Sequence, residues 1–362
     1  MKLIHTADLH LDARSNAHLS AEKAKERRDE MLRTFTRMVE YAAENDVKAI
    51  LISGDLFDRK SVSRLAENTV KNEMASHPGI TFFYLRGNHD AAELFPEGEA
   101  PDNVKLFSGE WTTYALSSCV TVTGAELFSA DASLYDRLSL DPENVNLLML
   151  HGQESETKGK ADTEIIRMAS LRNRFIDYLA LGHIHKFRRE ELDRRGVYVY
   201  PGCPEGHGYD ECGPKGFVLI DVDEEERTLD FRFVPFSFRE IHELKVDVTG
   251  ASGTPEIVSR VRETPGMDGI SPRDLVKVTL TGALDAEAEK DTTYLENAFK
   301  DRFYAFYVKD ETTTTVDFER YRLDKSLKGE FVRAVSKEDW PEEEKTRVIR
   351  AGLAALAGEP LS

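Results

Sequence analysis

Five apolar runs in this chain each end on a short block of Asp, Asn, His and Gly. The blocks are Asp8-Leu9-His10, Gly54-Asp55, Gly87-Asn88-His89-Asp90, His151-Gly152 and Gly182-His183-Ile184-His185. The runs before them are KLIHTA (2–7), KAILIS (48–53), ITFFYL (80–85), VNLLML (145–150) and YLAL (178–181). Short and mostly apolar or β-branched, they read as buried strands. Ligands of open α/β sheets gather beyond the carboxyl ends of strands, so blocks spread from residue 8 to residue 185 can meet at one place. Together they offer seven hard or borderline donors and one spare histidine. That is the inventory of a two-cation site with ions about 3.5–4 Å apart, a site type that cleaves phosphoesters.

The segments between the runs agree with this fold. In 21–45, Met31, Phe35, Met38, Val39 and Ala42 share one helical face. Residues 61–76 predict a second helix, with Ser61 as N-cap and Pro78-Gly79 beyond its end. Strand, helix, strand, helix, strand predicts an α/β sheet. From 196 the pattern turns to strands: GVYVYPG, then GFVLIDVD and LDFRFVPF joined by the acidic turn EEER.

We expect three domains. Residues 1–238 carry all five blocks. Residues 239–324 alternate short strands and helices as a small α+β cap. Residues 325–362 form a helical tail, with Leu327, Phe331, Ile349 and Leu353 on one apolar surface and Pro341 at the start of its second helix.

Charged residues are 31% and hydrophobic residues 40%, ordinary for a soluble globular protein. MKLIHTADLH lacks the pattern of a signal peptide, and no apolar stretch has the length of a membrane span. Cys119, Cys203 and Cys212 make no disulfide framework, so a reducing cytoplasm is expected. A net charge of −18 excludes DNA binding through the mean field of the protein. Local basic groups remain: Arg59, Lys60 and Arg64; Arg172 and Arg174; Lys186, Arg188 and Arg189. The first and third adjoin donor blocks and are candidates to touch substrate.

Each donor has its own logic. Asp8 and His10 are two apart at a strand end, so their side chains leave on one side. Asp55 follows Gly54, which permits a tight turn. Its carboxylate can bridge two cations, as a neutral imidazole cannot. Asn88 adds an amide oxygen, and His151, His183 and His185 add imidazoles. Oxygen and imidazole donors without thiolate favour Mn²⁺, Fe²⁺ or Mg²⁺ over structural zinc. His89 is surplus to the seven donors and suits proton transfer at a leaving oxygen, with Asp90 or another carboxylate to orient it. A rival zinc site of Cys203, His207 and Cys212 lacks a fourth partner with finger-like spacing.

Asp-x-His, Gly-Asp-x-x-Asp, Gly-Asn-His-Asp, a lone His and Gly-His-x-His form a set that resembles the calcineurin-like metallophosphoesterases over residues 1–236. HTADLHLD, SGDLFD, LRGNHD, ALGHIH and YPGCPE resemble, within that superfamily, the SbcD-type DNA repair exonucleases. The resemblance implies a two-sheet α/β sandwich flanked by helices. It implies one ion on Asp8, His10 and His185, another on Asn88, His151 and His183, a bridge through Asp55, and catalysis assisted by His89. Asp58 stands where some members carry histidine, and Cys203 where serine is usual. Asp58, Arg59 and Lys186 are the candidates for holding substrate. The implied activity is Mn²⁺-dependent 3′-to-5′ exonuclease and single-strand endonuclease. The implied partners are DNA, a coiled-coil ATPase of the SbcC type and a second copy of the chain, with 61–76 the candidate dimer helix. The rivals are a phosphatase or cyclic-nucleotide phosphodiesterase on the same ions, and a non-catalytic DNA-end-binding scaffold.

Overall fold

The computed structural model describes residues 1–13, 19–58, 62–90, 94–96, 98–131, 133–155, 165–285, 288–315, 321 and 323–357. The chain divides into two compact units, Met1–Glu240 and Ile241–Ser362. Among the described residues no helix is long and apolar enough to cross a membrane.

The first unit holds two six-stranded sheets. One contains Lys2–Thr6 (β1), Val47–Ser53 (β2), Thr81–Leu85 (β3), Val104–Leu106 (β4), Gly216–Asp223 (β13) and Thr228–Pro235 (β14), in the order β14-β13-β1-β2-β3-β4. The other contains Thr112–Ala115 (β5), Val120–Gly124 (β6), Val145–His151 (β7), Tyr178–Gly182 (β10), Arg188–Glu191 (β11) and Val197–Tyr200 (β12), in the order β11-β12-β10-β7-β6-β5. A short pair, Gln153–Ser155 (β8) with Ile165–Arg167 (β9), stands apart. β1, β2 and β3 run parallel, as do β7 and β10.

Period-two alternation sorts each apolar run between two cores. Leu51 and Phe83 face Leu147, Met149 and Tyr178 between the sheets. Ile50, Ile52 and Phe82 face outward to Met31, Phe35, Met38 and Val39 of helix Ala21–Glu44 (α1). Leu148 and Leu150 pack on the far side with Leu134, Met168 and Leu171. Both faces are largely covered, which is why the strands read as mostly apolar runs.

The second helix is Arg64–Ser76 (α2), three residues shorter at its start than expected. Its N-cap is Ser63, whose hydroxyl accepts from the Ala66 N–H at 3.2 Å. Ser61 lies outside the described residues.

Two buried polar features have measurable consequences. Arg27 on α1 is 1% exposed and donates to Glu30 at 2.7 Å and Glu205 at 3.1 Å. Glu205 also accepts from the Thr34 hydroxyl at 2.8 Å, which ties α1 to the loop after β12. Arg27→Ala would leave the buried Glu205 carboxylate without its cation, while Glu30 keeps Arg239 at 2.6 Å, and urea unfolding is expected to show a loss of about 3–5 kcal/mol. His5, 0% exposed, sits in the middle of β1 with Nδ1 at 2.9 Å from the Tyr178 hydroxyl. Burial drives its pKa down to about 3. Below about pH 6.5 the unfolded chain takes up a proton that the native His5 refuses. Stability is therefore expected to fall as pH drops from 6.5 toward 3, by up to about 1.4 kcal/mol per pH unit for this group. His5→Gln should flatten that slope relative to the wild type in paired unfolding curves.

In the second unit, Ile241–Asp247 (β15), Leu275–Thr281 (β16) and Ala305–Asp310 form a parallel three-stranded sheet. Ile257 and Val261 of helix Thr254–Arg262 and Leu295 and Phe299 of helix Thr292–Phe299 pack on Val276, Val278 and Leu280. The last two helices, Leu327–Ser336 and Glu342–Ala357, face each other. Here the sequence expectation needs correction. Ile349 and Leu353 are buried with Val332, Val335 and Tyr321, whereas Leu327 is 66% exposed. Short amphipathic helices are marginal alone and gain stability by pairing their apolar stripes, so this face is spent within the unit.

Candidate metal centre

The carboxyl ends of β1, β2 and β3 meet those of β7 and β10 at one end of the two-sheet sandwich. Two glycines let the backbones close in. A Cβ on Gly182 would stand 1.9 Å from the Ser53 carbonyl oxygen, and one on Gly54 would stand 2.1 Å from the His151 ring. Residues 8–11 zip onto 54–56: the N–H groups of Asp8, His10 and Leu11 donate to the carbonyls of Gly54, Asp55 and Leu56 at 3.1, 3.0 and 2.9 Å. Asp8 (φ 52°), His10 (φ 41°), Asp55 (φ 52°) and His183 (φ 105°) all hold left-handed backbones. Such conformations persist where surrounding bonds over-determine them, and here they fall on four of the seven expected donors.

Asp55 reaches both halves of the site. Its Oδ2 lies 3.7 Å from His10 Nε2 and 3.3 Å from His151 Nε2. On the first side, His10 Nε2 and His185 Nε2 are 3.2 Å apart, and Asp8, His10 and His185 bring donor atoms within 4.8 Å of one another. On the second side, His151 Nε2 lies 3.1 Å from Asn88 Oδ1, and the His151 and His183 rings stand edge-on with centroids 5.5 Å apart. Asp8 accepts from the His183 N–H at 2.9 Å, which joins the two sides.

The donors fit divalent cations. The His151 Nδ1–H donates to the Ser53 carbonyl at 2.9 Å, which leaves an Nε2 lone pair facing an amide oxygen and a carboxylate. Acceptors facing acceptors need a cation between them. With none, the ring itself must take a proton. Burial opposes that charge, but the hydrogen bond to Asp55 and the charges of Asp55 and Asp8 outweigh it and push the His151 pKa up to about 9. Asp8, wholly buried, is raised to about 6 by burial and by the charge of Asp55, against the pull of His151 and His185.

His89 stands at the mouth, its side chain 43% exposed. Its Nδ1 lies 3.1 Å from Asp58 Oδ1, and its backbone N–H donates to Asp55 Oδ1 at 2.8 Å. Asp58, offered from the sequence as a substrate contact, is thus the partner of His89. Asp90 is not. Its carboxylate, 8% exposed, accepts from the N–H groups of Gly87, Leu56 and Phe57 at 3.0, 3.3 and 2.9 Å. A carboxylate spent on three amides anchors the turn and has no reach to the neighbouring ring.

Lys186 is exposed immediately after His185. Arg188 pairs with Glu154, and the Arg189 guanidinium lies 5.2 Å from the Phe231 ring centroid. Arg59 lies outside the described residues. The rival zinc set is rearranged: Cys203, His207, Glu211 and His185 bring donor atoms within 4.8 Å, while the Cys212 thiol donates to the Tyr209 carbonyl at 3.3 Å. Sequence reading missed Glu211. It lies 26 residues beyond His185, and no spacing rule links the two.

The family model described as "Calcineurin-like phosphoesterase" matches residues 1–187. The chain belongs to that family. This calcineurin-like phosphoesterase is 28% identical to the "Uncharacterized metallophosphoesterase YhaO" of Bacillus subtilis, over 73% of this chain and 67% of that one. It is 29% identical to the "DNA double-strand break repair protein Mre11" of Sulfurisphaera tokodaii, over 63% of this chain and 61% of the relative. The Mre11 of Saccharolobus solfataricus is 25% identical over 97% of this chain and 94% of its own. The family binds a dimetal centre and hydrolyses phosphoesters, and the clusters above are this member's candidates for that centre.

Proposed function

We propose that this phosphoesterase is a Mn²⁺-dependent DNA phosphodiesterase that trims DNA ends in repair, as a 3′-to-5′ exonuclease on duplexes and an endonuclease on single strands. The observation that carries the reading is the position of Asp55 between two donor sets, with the His89–Asp58 pair at the mouth. The Mre11 names among its relatives supply the DNA. Asp8, His10 and His185 would hold one ion, Asn88, His151 and His183 the other, and Asp55 both. When bound, the cations supply Lewis acidity and positive charge to a phosphodiester and its attacking water. Asp58 accepts the His89 Nδ1–H and turns the Nε2 edge away from itself, so that as the imidazolium, with both nitrogens protonated, the ring can pass its Nε2 proton to the departing 3′ oxygen and return to the neutral Nδ1–H form. Lys186 offers a cation to the strand beside the metals. Work with an SbcC-type ATPase, pairing of two copies and a cytoplasmic setting belong to the same proposal.

Two observations favour a second reading, a phosphatase or cyclic-nucleotide phosphodiesterase: the net charge of −18 and the match to a relative whose name carries no DNA. Incubation with Mn²⁺ separates the two. We expect nucleotides to be released from linear duplex DNA and bis-p-nitrophenyl phosphate to be cleaved. Turnover of p-nitrophenyl phosphate with DNA left intact would overturn the nuclease reading. Association with the ATPase is checked by co-purification, full length against a chain lacking 326–362.

A further inference from the structure

Glu211 is a carboxylate with four donors around it, all from the wall of the first ion's site. The His185 Nδ1 lies 2.5 Å from Oε1. The other oxygen, Oε2, accepts from the His207 N–H at 2.8 Å, lies 3.2 Å from His207 Nδ1, and takes the Cys203 thiol at 3.4 Å. The Glu211 N–H in turn donates to the Gly208 carbonyl at 3.0 Å, closing the loop on itself. The same stretch grips the backbone of His185, where the Lys215 ammonium donates to the carbonyl at 2.7 Å.

The proton count follows from these contacts. A neutral imidazole carries one N–H, and a carboxylate at Nδ1 holds it there. Glu211 does this for two rings at once. His185 is left with an Nε2 lone pair aimed at His10 Nε2, 3.2 Å away. His207 likewise keeps its proton toward Glu211, and its ring stands edge-on to His10 with centroids 5.4 Å apart. A carboxylate behind a ligating histidine fixes the tautomer and ring direction and raises the basicity of the nitrogen that meets the metal.

We infer that Glu211 is a positioning residue of the first ion's site: it presents His185 Nε2 to the ion, and through His207 it walls the same pocket. This rests on Asp8, His10 and His185 being that ion's ligands. Glu211→Gln keeps the size of the side chain but loses its charge, and one amide oxygen cannot accept from both rings.

The experiment is titration of the metal-free full chain with Mn²⁺, followed by calorimetry and by the Mn²⁺ electron paramagnetic resonance signal. The wild type should bind two ions. Glu211→Gln should lose about 10–100-fold in affinity for one of them and keep the other. The melting temperature of the metal-free variant should match the wild type. Unchanged affinity at both sites overturns the inference. So does loss of both ions together with a lowered metal-free melting temperature, which is general collapse. A third ion in the wild type that the variant loses also overturns it, because Glu211 would then be a ligand. If the variant is insoluble, the wild type still decides. ¹⁵N-labelled histidine spectra of the metal-free protein at alkaline pH should show His185 and His207 protonated on Nδ1. An Nε2–H tautomer at His185 overturns the inference. Neither readout uses DNA, so an absence of DNA cleavage would sink the nuclease reading and leave this result standing.

Discussion

Asp55→Asn is expected to abolish phosphodiester cleavage and to lower the affinity for at least one of two bound ions by more than about 100-fold, the upper end of what even a supporting residue costs. The substitution is close to isosteric. Oδ1 can still accept the His89 N–H now held at 2.8 Å, so the turn that carries Asn88 and His89 should stay in place. What changes is the oxygen between the two halves. Oδ2 lies 3.7 Å from His10 Nε2 and 3.3 Å from His151 Nε2, and it is the charged atom that reaches both donor sets. An amide nitrogen in its place carries no charge and presents N–H bonds where a cation would sit. Metal analysis of the purified variant, beside initial rates on linear duplex DNA with added Mn²⁺, measures both effects. Two tightly held ions with full turnover would remove Asp55 from the bridging position.

His89→Ala separates chemistry from metal binding. The backbone N–H of residue 89 survives the change, so Asp55 keeps that hydrogen bond. Both donor sets keep all seven members. The side chain that disappears is the exposed ring at the mouth, paired with Asp58 at 3.1 Å. Loss of a positioned general acid costs typically about 10²–10⁴-fold in rate, and we expect kcat to fall by that much with two ions still bound. The loss should be smaller on bis-p-nitrophenyl phosphate, whose leaving group departs without a proton. A variant that sheds metal would make His89 a ligand, and an equal loss on both substrates would remove its role as acid.

The donor blocks were visible before any coordinates because of where they sit. A strand buried on both faces is mostly apolar, so an apolar run ending on Asp, His or Gly-Asp announces both the strand and the exit of its side chains. α1 was visible for a related reason, since its stripe of Met31, Phe35, Met38 and Val39 has a sheet to cover. The start of α2 was misplaced because a second serine, Ser63, follows Ser61, and the Ser63 hydroxyl meets the free amide of Ala66.

By itself the sequence determined the α/β class and the strand ends that carry the seven candidate donors, since those follow from period and local chemistry. Only the tertiary structure decided who stands beside whom. Sequence proximity favoured Asp90 for His89, yet the turn consumed Asp90 on three amides and brought Asp58 across from another strand end. Glu211 stands in the loop before β13, and only the return of the chain to that strand sets it against His185. Ile349 and Leu353 looked like an open surface until the preceding helix folded over them. In each case the deciding quantity is a contact between segments distant in the chain. Packing sets that contact, because every buried polar atom must find a partner and every apolar stripe a cover.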